Sequence, residues 1–179
     1  MAFWRDFDEI LTAEMASISG GLVAGTLLAY ITHHIELVPA LFILLPGFLE
    51  MRGNISGSLS ARLSSALFLG AAKPNVRKNR IMKGNVLASI LLVIVVSTVL
   101  GFVAFFANAM FFHVVDYRII AIAFIAGLLS NLIEIPLTVL TTFWLFRHGH
   151  DPNNIMGPYV TTTGDISSII SIFIAIVIV

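Results

Sequence analysis

An all-α membrane protein with five transmembrane helices is the fold class this sequence predicts, on three observations. The 179 residues are 58% hydrophobic and only 11% charged, far from the balance of a soluble domain. The apolar residues fall into five stretches, each long enough for the ~20 residues a bilayer span requires. Five of the ten basic residues, Lys73, Arg77, Lys78, Arg80 and Lys83, crowd into one loop between the second and third stretches.

The first span is expected from about Leu11 to Thr32, where Gly20, Gly21, Ala24 and Gly25 permit close helix contact. Ahead of it, Phe3, Trp4 and Phe7 read as an interfacial anchor. After the turn His33-His34-Ile35-Glu36, a second segment covers about Val38 to Gly70. That is too long for one simple span, and Pro39, Pro46-Gly47 and Gly53-Asn54 are expected to interrupt it. The third span covers about Asn85 to Met110, the fourth about Ile119 to Phe146 and the last about Ile155 to Val179. Gly157, Pro158 and Gly164 are expected to loosen the last helix, so segments two and five are both read as interrupted. The whole, residues 1–179, is read as a single ion-transport domain with no soluble regulatory domain.

The basic loop belongs in the cytoplasm by the positive-inside rule. Counting outward, the amino terminus and Arg147 lie inside, while the turns at His33–Glu36 and His113–Asp116 and the carboxyl terminus lie outside. The chain is therefore expected to be a multi-pass protein of the cell membrane, with the lipid bilayer as a partner. A net charge of zero argues against nucleic acid. The absence of cysteine removes thiolate metal sites and disulfides. Met1 to Glu9 carries Arg5 among Asp6, Asp8 and Glu9, so no cleavable signal peptide is expected there.

Asp165 is the residue that most needs a role. It precedes an uncharged, mostly apolar run from Ile166 to Val179, and a carboxylate inside a membrane segment costs ~2.5–3.5 kcal/mol on insertion scales. Carbonyls, hydroxyls and one carboxylate together suit a hard cation, so the residues point to a membrane pathway for divalent cations. Gly53, Asn54, Gly57 and Ser58 of segment two and Asp165 of segment five are read as one shared site. Asn54 supplies an amide oxygen, Ser58 a hydroxyl, and Thr161 or Gly157 a backbone carbonyl. The alternative for Gly53 and Gly57 is a helix contact, and for Asn54 an interhelical hydrogen bond. For Asp165 the alternative is an ion pair with a buried arginine, but no arginine or lysine stands out at its depth. Arg62 reads as a snorkelling residue near the inner face, and Glu50 as an internal partner of Arg52. Glu36 lies near the outer mouth, where it can concentrate cations. Glu134 lies inside span four and carries the functional default for an intramembrane acid, or else bonds the backbone freed by Pro136. The histidines, His33, His34, His113, His148 and His150, fall in loops and read as ordinary polar residues at membrane ends.

These residues resemble two signatures of the MgtE-type divalent cation transporters, close to the solute carrier family 41 branch. The first is Gly53-Asn54 followed by Ser60-Ala61-Arg62-Leu63-Ser64. The second is Asp151-Pro152-Asn153-Asn154 followed by Gly157-Pro158-Tyr159-Val160-Thr161-Thr162-Thr163-Gly164-Asp165. The second is the more specific, and the resemblance runs from about Leu11 onward. It implies a five-helix transport domain and a magnesium path lined by segments two and five, with Asp165 at its centre. Asn54, Glu36, Gly157 and Thr161 match positions that line the ion path in that family, Gly157 through its backbone alone. It also implies a homodimer with the path near the two-fold axis. Mg2+ dehydrates reluctantly, so Asp165 would hold it largely through water, and such outer-shell binding also admits Mn2+ or Co2+. An acidic residue commonly follows the Gly-Asn pair in the carrier branch. Ser56 stands in that region here, which removes support for coupling such as sodium exchange. Two other functions fit the residues less well. A non-transporting helical assembly protein leaves Asp165 unpaired in lipid, and an intramembrane enzyme needs a nucleophile–base or histidine–metal spacing that the chain lacks.

Overall fold

The computed structural model describes residues 2–34, 39–76 and 79–179, and these form five helices. They are α1 (Ala2–His34), α2 (Pro39–Phe68), α3 (Arg80–Phe112), α4 (Arg118–Arg147) and α5 (Pro152–Ile178). Glu36, Arg77 and Lys78 lie outside the described residues. Four helices, α1, α3, α4 and α5, are long and apolar enough to cross a membrane. The fifth, α2, spans 30 residues, about 45 Å at 1.5 Å per residue, but carries Glu50, Arg52 and Arg62 and a serine-rich second half.

The expected interruptions of segments two and five are not present. Helix α2 runs unbroken through Pro46, Gly47, Gly53 and Asn54, and α5 through Gly157, Pro158 and Gly164. Pro39 and Pro152 are the first residues of their helices, where a missing N–H costs nothing. Inside a helix, a proline removes one backbone bond, and a glycine costs ~1 kcal/mol relative to alanine. A full break in lipid would strand several backbone groups at several kcal/mol each, so the continuous helix wins. Helix α5 also opens cleanly, since the Asp151 side chain accepts from the Asn153 N–H at 2.8 Å as its N-cap.

Helices α2 to α5 enclose the core. Packing is close where residues are small. A Cβ added at Gly101 of α3 would stand 3.0 Å from the Ile120 Cα, and one at Gly127 of α4 would stand 2.7 Å from the Ser97 Cβ. The buried stripe of α3 includes the small residues Ser89, Ser97, Gly101 and Ala104, which let backbones approach closely. Helix α1 packs against α5 and runs parallel to it. Ser17 meets Thr162, whose hydroxyl donates to the Ser17 hydroxyl at 2.9 Å, and Leu28 and Ile31 line one small apolar cavity with Ile172 and Phe173. Most of its remaining surface, with Phe3, Trp4 and Phe7 clustered at its start, is exposed. The expected loop histidines His33 and His34 close α1 instead, and His148 caps α4.

Contacts gather the basic segments at one end of the bundle. Arg147 donates to the Pro74 carbonyl, and Glu9 pairs with His150 at 3.0 Å and accepts from Asn154 at 3.2 Å. In the turn between α3 and α4, at the other end, Arg118 grips Asp116 at 2.8 Å. That hydrogen bond holds the Asp116 carboxyl below its ordinary range.

Candidate ion site

Helices α2 and α5 run antiparallel, and their contact centres on a buried arginine. The Arg52 side chain is 1% exposed. Its Nη1 donates to the Val160 carbonyl at 2.6 Å, and its Nη2 donates to the Thr161 carbonyl at 3.3 Å and to Asp165 Oδ1 at 3.0 Å. Gly164 makes the seat: a Cβ there would stand 1.3 Å from Nη1. No side chain fits at that position while the guanidinium occupies it. The Nε–H of Arg52 is buried and has no partner.

This pairing corrects the sequence reading of both residues. Arg52 does not pair with Glu50, which instead accepts from the Asn54 amide at 3.0 Å. Asp165 does meet an arginine at its own depth. The match is legible by counting: Pro39 to Arg52 and Asp165 to Ile178 each span thirteen steps from the same end of the bundle. Charge placement along antiparallel helices is a depth problem, and adjacency of Glu50 and Arg52 in sequence obscured it.

Glu134 completes the charged group. It is fully buried on α4 and accepts from Thr163 Oγ1 at 3.4 Å and from Ser167 Oγ at 3.3 Å, both on α5. Its partners are therefore α5 hydroxyls rather than backbone freed by Pro136. It interacts electrostatically with both Arg52 and Asp165, without an ion pair to Arg52 inside 4.0 Å. One guanidinium thus interacts with two carboxylates contributed by different helices, paired with one of them.

Asp165 differs from its two partners in being open. Its side chain is 25% exposed, and among the described residues only Oδ1 is hydrogen-bonded. Gly157 and Thr161 precede it at four-residue spacing on α5 and are exposed, as are Glu50, Asn54 and Ala61 on α2. Gly53 and Gly57 are half-buried, and a Cβ at either would meet nothing within 4 Å. The helix contact considered for these glycines is therefore not made within the chain. Other expected contributors are partly committed. Ser58 donates to the Ile55 carbonyl at 3.1 Å, the Gly157 carbonyl accepts from Thr161 Oγ1 at 3.0 Å, and the Thr161 carbonyl accepts from Arg52. Asn54 spends its N–H on Glu50 and keeps its amide oxygen. No cluster of three or more carboxylate or histidine ligands occurs among the described residues.

Comparison with known proteins gives the family. Residues 45–175 match the family model of MgtE, described as a divalent cation transporter. Solute carrier family 41 member 2 of Homo sapiens is 29% identical over 171 residues, covering 87% of this chain and 28% of that protein. The Gallus gallus protein of the same name is 27% identical over 172 residues, covering 88% and 29%. The chain thus spans little more than a quarter of the length of these relatives. No solved structure gives a significant match. The family is one of transporters and not of enzymes. With most of its length inside the matched region and its helices apolar enough to cross a membrane several times, this chain is a multi-pass membrane protein that belongs to the MgtE divalent cation transporter family.

Proposed function

We propose that the chain moves divalent cations, Mg2+ first among them, along a path on the open α2–α5 face centred on Asp165, with a second copy of the chain closing the path. The observation that carries this reading is Asp165 itself. It is a carboxylate half-way along a membrane helix, paired through one oxygen and open at the other, where a merely structural ion pair would be enclosed on all sides. Asn54 and the Gly53 and Gly57 backbone, with Gly157 and Thr161 opposite, line the same face and order the waters that Mg2+ retains. Ser58 and Glu134 act behind them, and Glu36 gathers cations at the outer mouth. In this reading the amino terminus and the basic loop face the cytoplasm and the carboxyl terminus faces outward. The open space at Gly53 and Gly57 is where the partner's helix approaches.

Two measurements test it. The chain has no native cysteine, so Ala61→Cys on the exposed side of α2 is expected to form a disulfide-linked dimer on mild oxidation in membranes. Val95→Cys, on the outer surface of α3, is expected to stay monomeric; the reverse pattern would remove the proposed interface. In proteoliposomes loaded with a Mg2+-sensitive dye, the wild-type chain is expected to pass Mg2+ down its gradient, with Mn2+ and Co2+ competing. Flux that appears only with a sodium gradient identifies an exchanger. A folded protein that passes no divalent ion refutes the proposal.

A further inference from the structure

We infer that Arg52 is the resident cation of this site: it neutralises Asp165 until a divalent ion arrives, and by its charge it sets both the valence and the tightness of ion binding. The inference rests on the Asp165-centred path proposed above and adds a residue that the path did not require.

The charges support it. With both carboxylates ionised, Asp165, Glu134 and Arg52 sum to minus one in each chain, so two copies present minus two around a shared axis, equal and opposite to one divalent ion. Without Arg52 the same two copies would present minus four, and an ion so overcompensated would enter readily and leave slowly. Transport requires binding strong enough for entry and weak enough for release. Arg52 supplies the weakening.

The geometry fits a cation that yields without departing. Only one of the three hydrogen bonds of Arg52 goes to Asp165; the Val160 and Thr161 carbonyls hold the other two at 2.6 and 3.3 Å. When Asp165 turns to an ion, those carbonyls keep the guanidinium in its Gly164 seat. Glu134 on α4 supplies a second negative charge that Arg52 feels, and the unpartnered Nε–H is a spare donor. A monovalent ion offers Asp165 no more charge than Arg52 already does, whereas a divalent ion offers twice as much. The site is thereby biased toward divalent ions by competition with a tethered monovalent one.

The test is Mg2+ titration of the purified full chain in detergent, read by calorimetry and by thermal shift, with Na+ as the monovalent comparison. Arg52→Gln is expected to tighten Mg2+ binding roughly tenfold or more, from removal of a unit positive charge a few ångströms away, and to let Na+ compete. Arg52→Lys keeps the charge and is expected to stay near wild type. Glu134→Gln removes the second carboxylate, commits Arg52 to Asp165, and is expected to weaken Mg2+ binding by a similar factor. Folded Arg52→Gln protein that binds Mg2+ no tighter than wild type overturns the inference. Should Arg52→Gln fail to fold, Glu134→Gln binding as tightly as wild type overturns it equally. Asp165→Asn separates the two levels. Its loss of Mg2+ binding with Arg52→Gln unchanged defeats the role of Arg52 alone, while wild-type binding by Asp165→Asn defeats the Asp165-centred path and this inference with it.

Discussion

Gly164→Ala, ordinarily a stabilising change in a helix, is expected to destabilise this protein by about 2–4 kcal/mol. Alanine in mid-helix gains ~1 kcal/mol over glycine. Here its Cβ would fall 1.3 Å from Arg52 Nη1, and Arg52 is buried among three acceptors with nowhere equivalent to go. Expelling it breaks the part-buried ion pair with Asp165 and removes the positive charge that Glu134 feels, a loss of ~3–5 kcal/mol. The check is cooperative thermal melting of the single mutant, of Arg52→Ala and of the double mutant. In the Arg52→Ala background the methyl group has room, so Gly164→Ala is expected to be neutral or stabilising there. Costs that simply add would show that the two residues are not coupled.

Asp165→Ala is expected to abolish measurable Mg2+ flux while leaving a folded protein. Removing one charged partner from a desolvated interaction costs about 2–5 kcal/mol, a rate loss of ~30-fold or more when it falls on the transport barrier. Folding survives because Arg52 keeps the Val160 and Thr161 carbonyls and the charge of Glu134. Asp165→Asn sharpens the test, since its amide oxygen still accepts from Arg52 while its charge is gone. Stability near wild type with flux still lost assigns the transport role to charge rather than to pairing. Undiminished flux in either mutant ends the case for Asp165.

How much was legible beforehand differs by residue. The five helices follow from apolar runs, and their ends moved by only a few residues except in α1, which extends through Phe3, Trp4 and Phe7 to its start. Asp165 and Glu134 announce themselves as acids in apolar surroundings, because the cost of burying charge makes such residues rare without a purpose. The supposed breaks at Pro46, Gly53, Pro158 and Gly164 misled, since local propensity at ~1 kcal/mol per glycine is weaker than the demand for satisfied backbone in lipid. Gly164 has a different purpose from the one its helix propensity suggests: it clears space for a guanidinium instead of loosening a helix.

The sequence by itself determined the membrane class, the helix count, the family signatures and the presence of unpaired-looking acids, because hydrophobic periodicity and buried charge are properties of single segments. Only the tertiary structure decided which charges meet. Arg52 stands two residues from Glu50 and 113 from Asp165, yet the antiparallel packing of α2 on α5 brings the distant pair to 3.0 Å. Neighbours two apart on a helix point to different faces, so the partner of a buried charge is chosen by equal depth on facing helices.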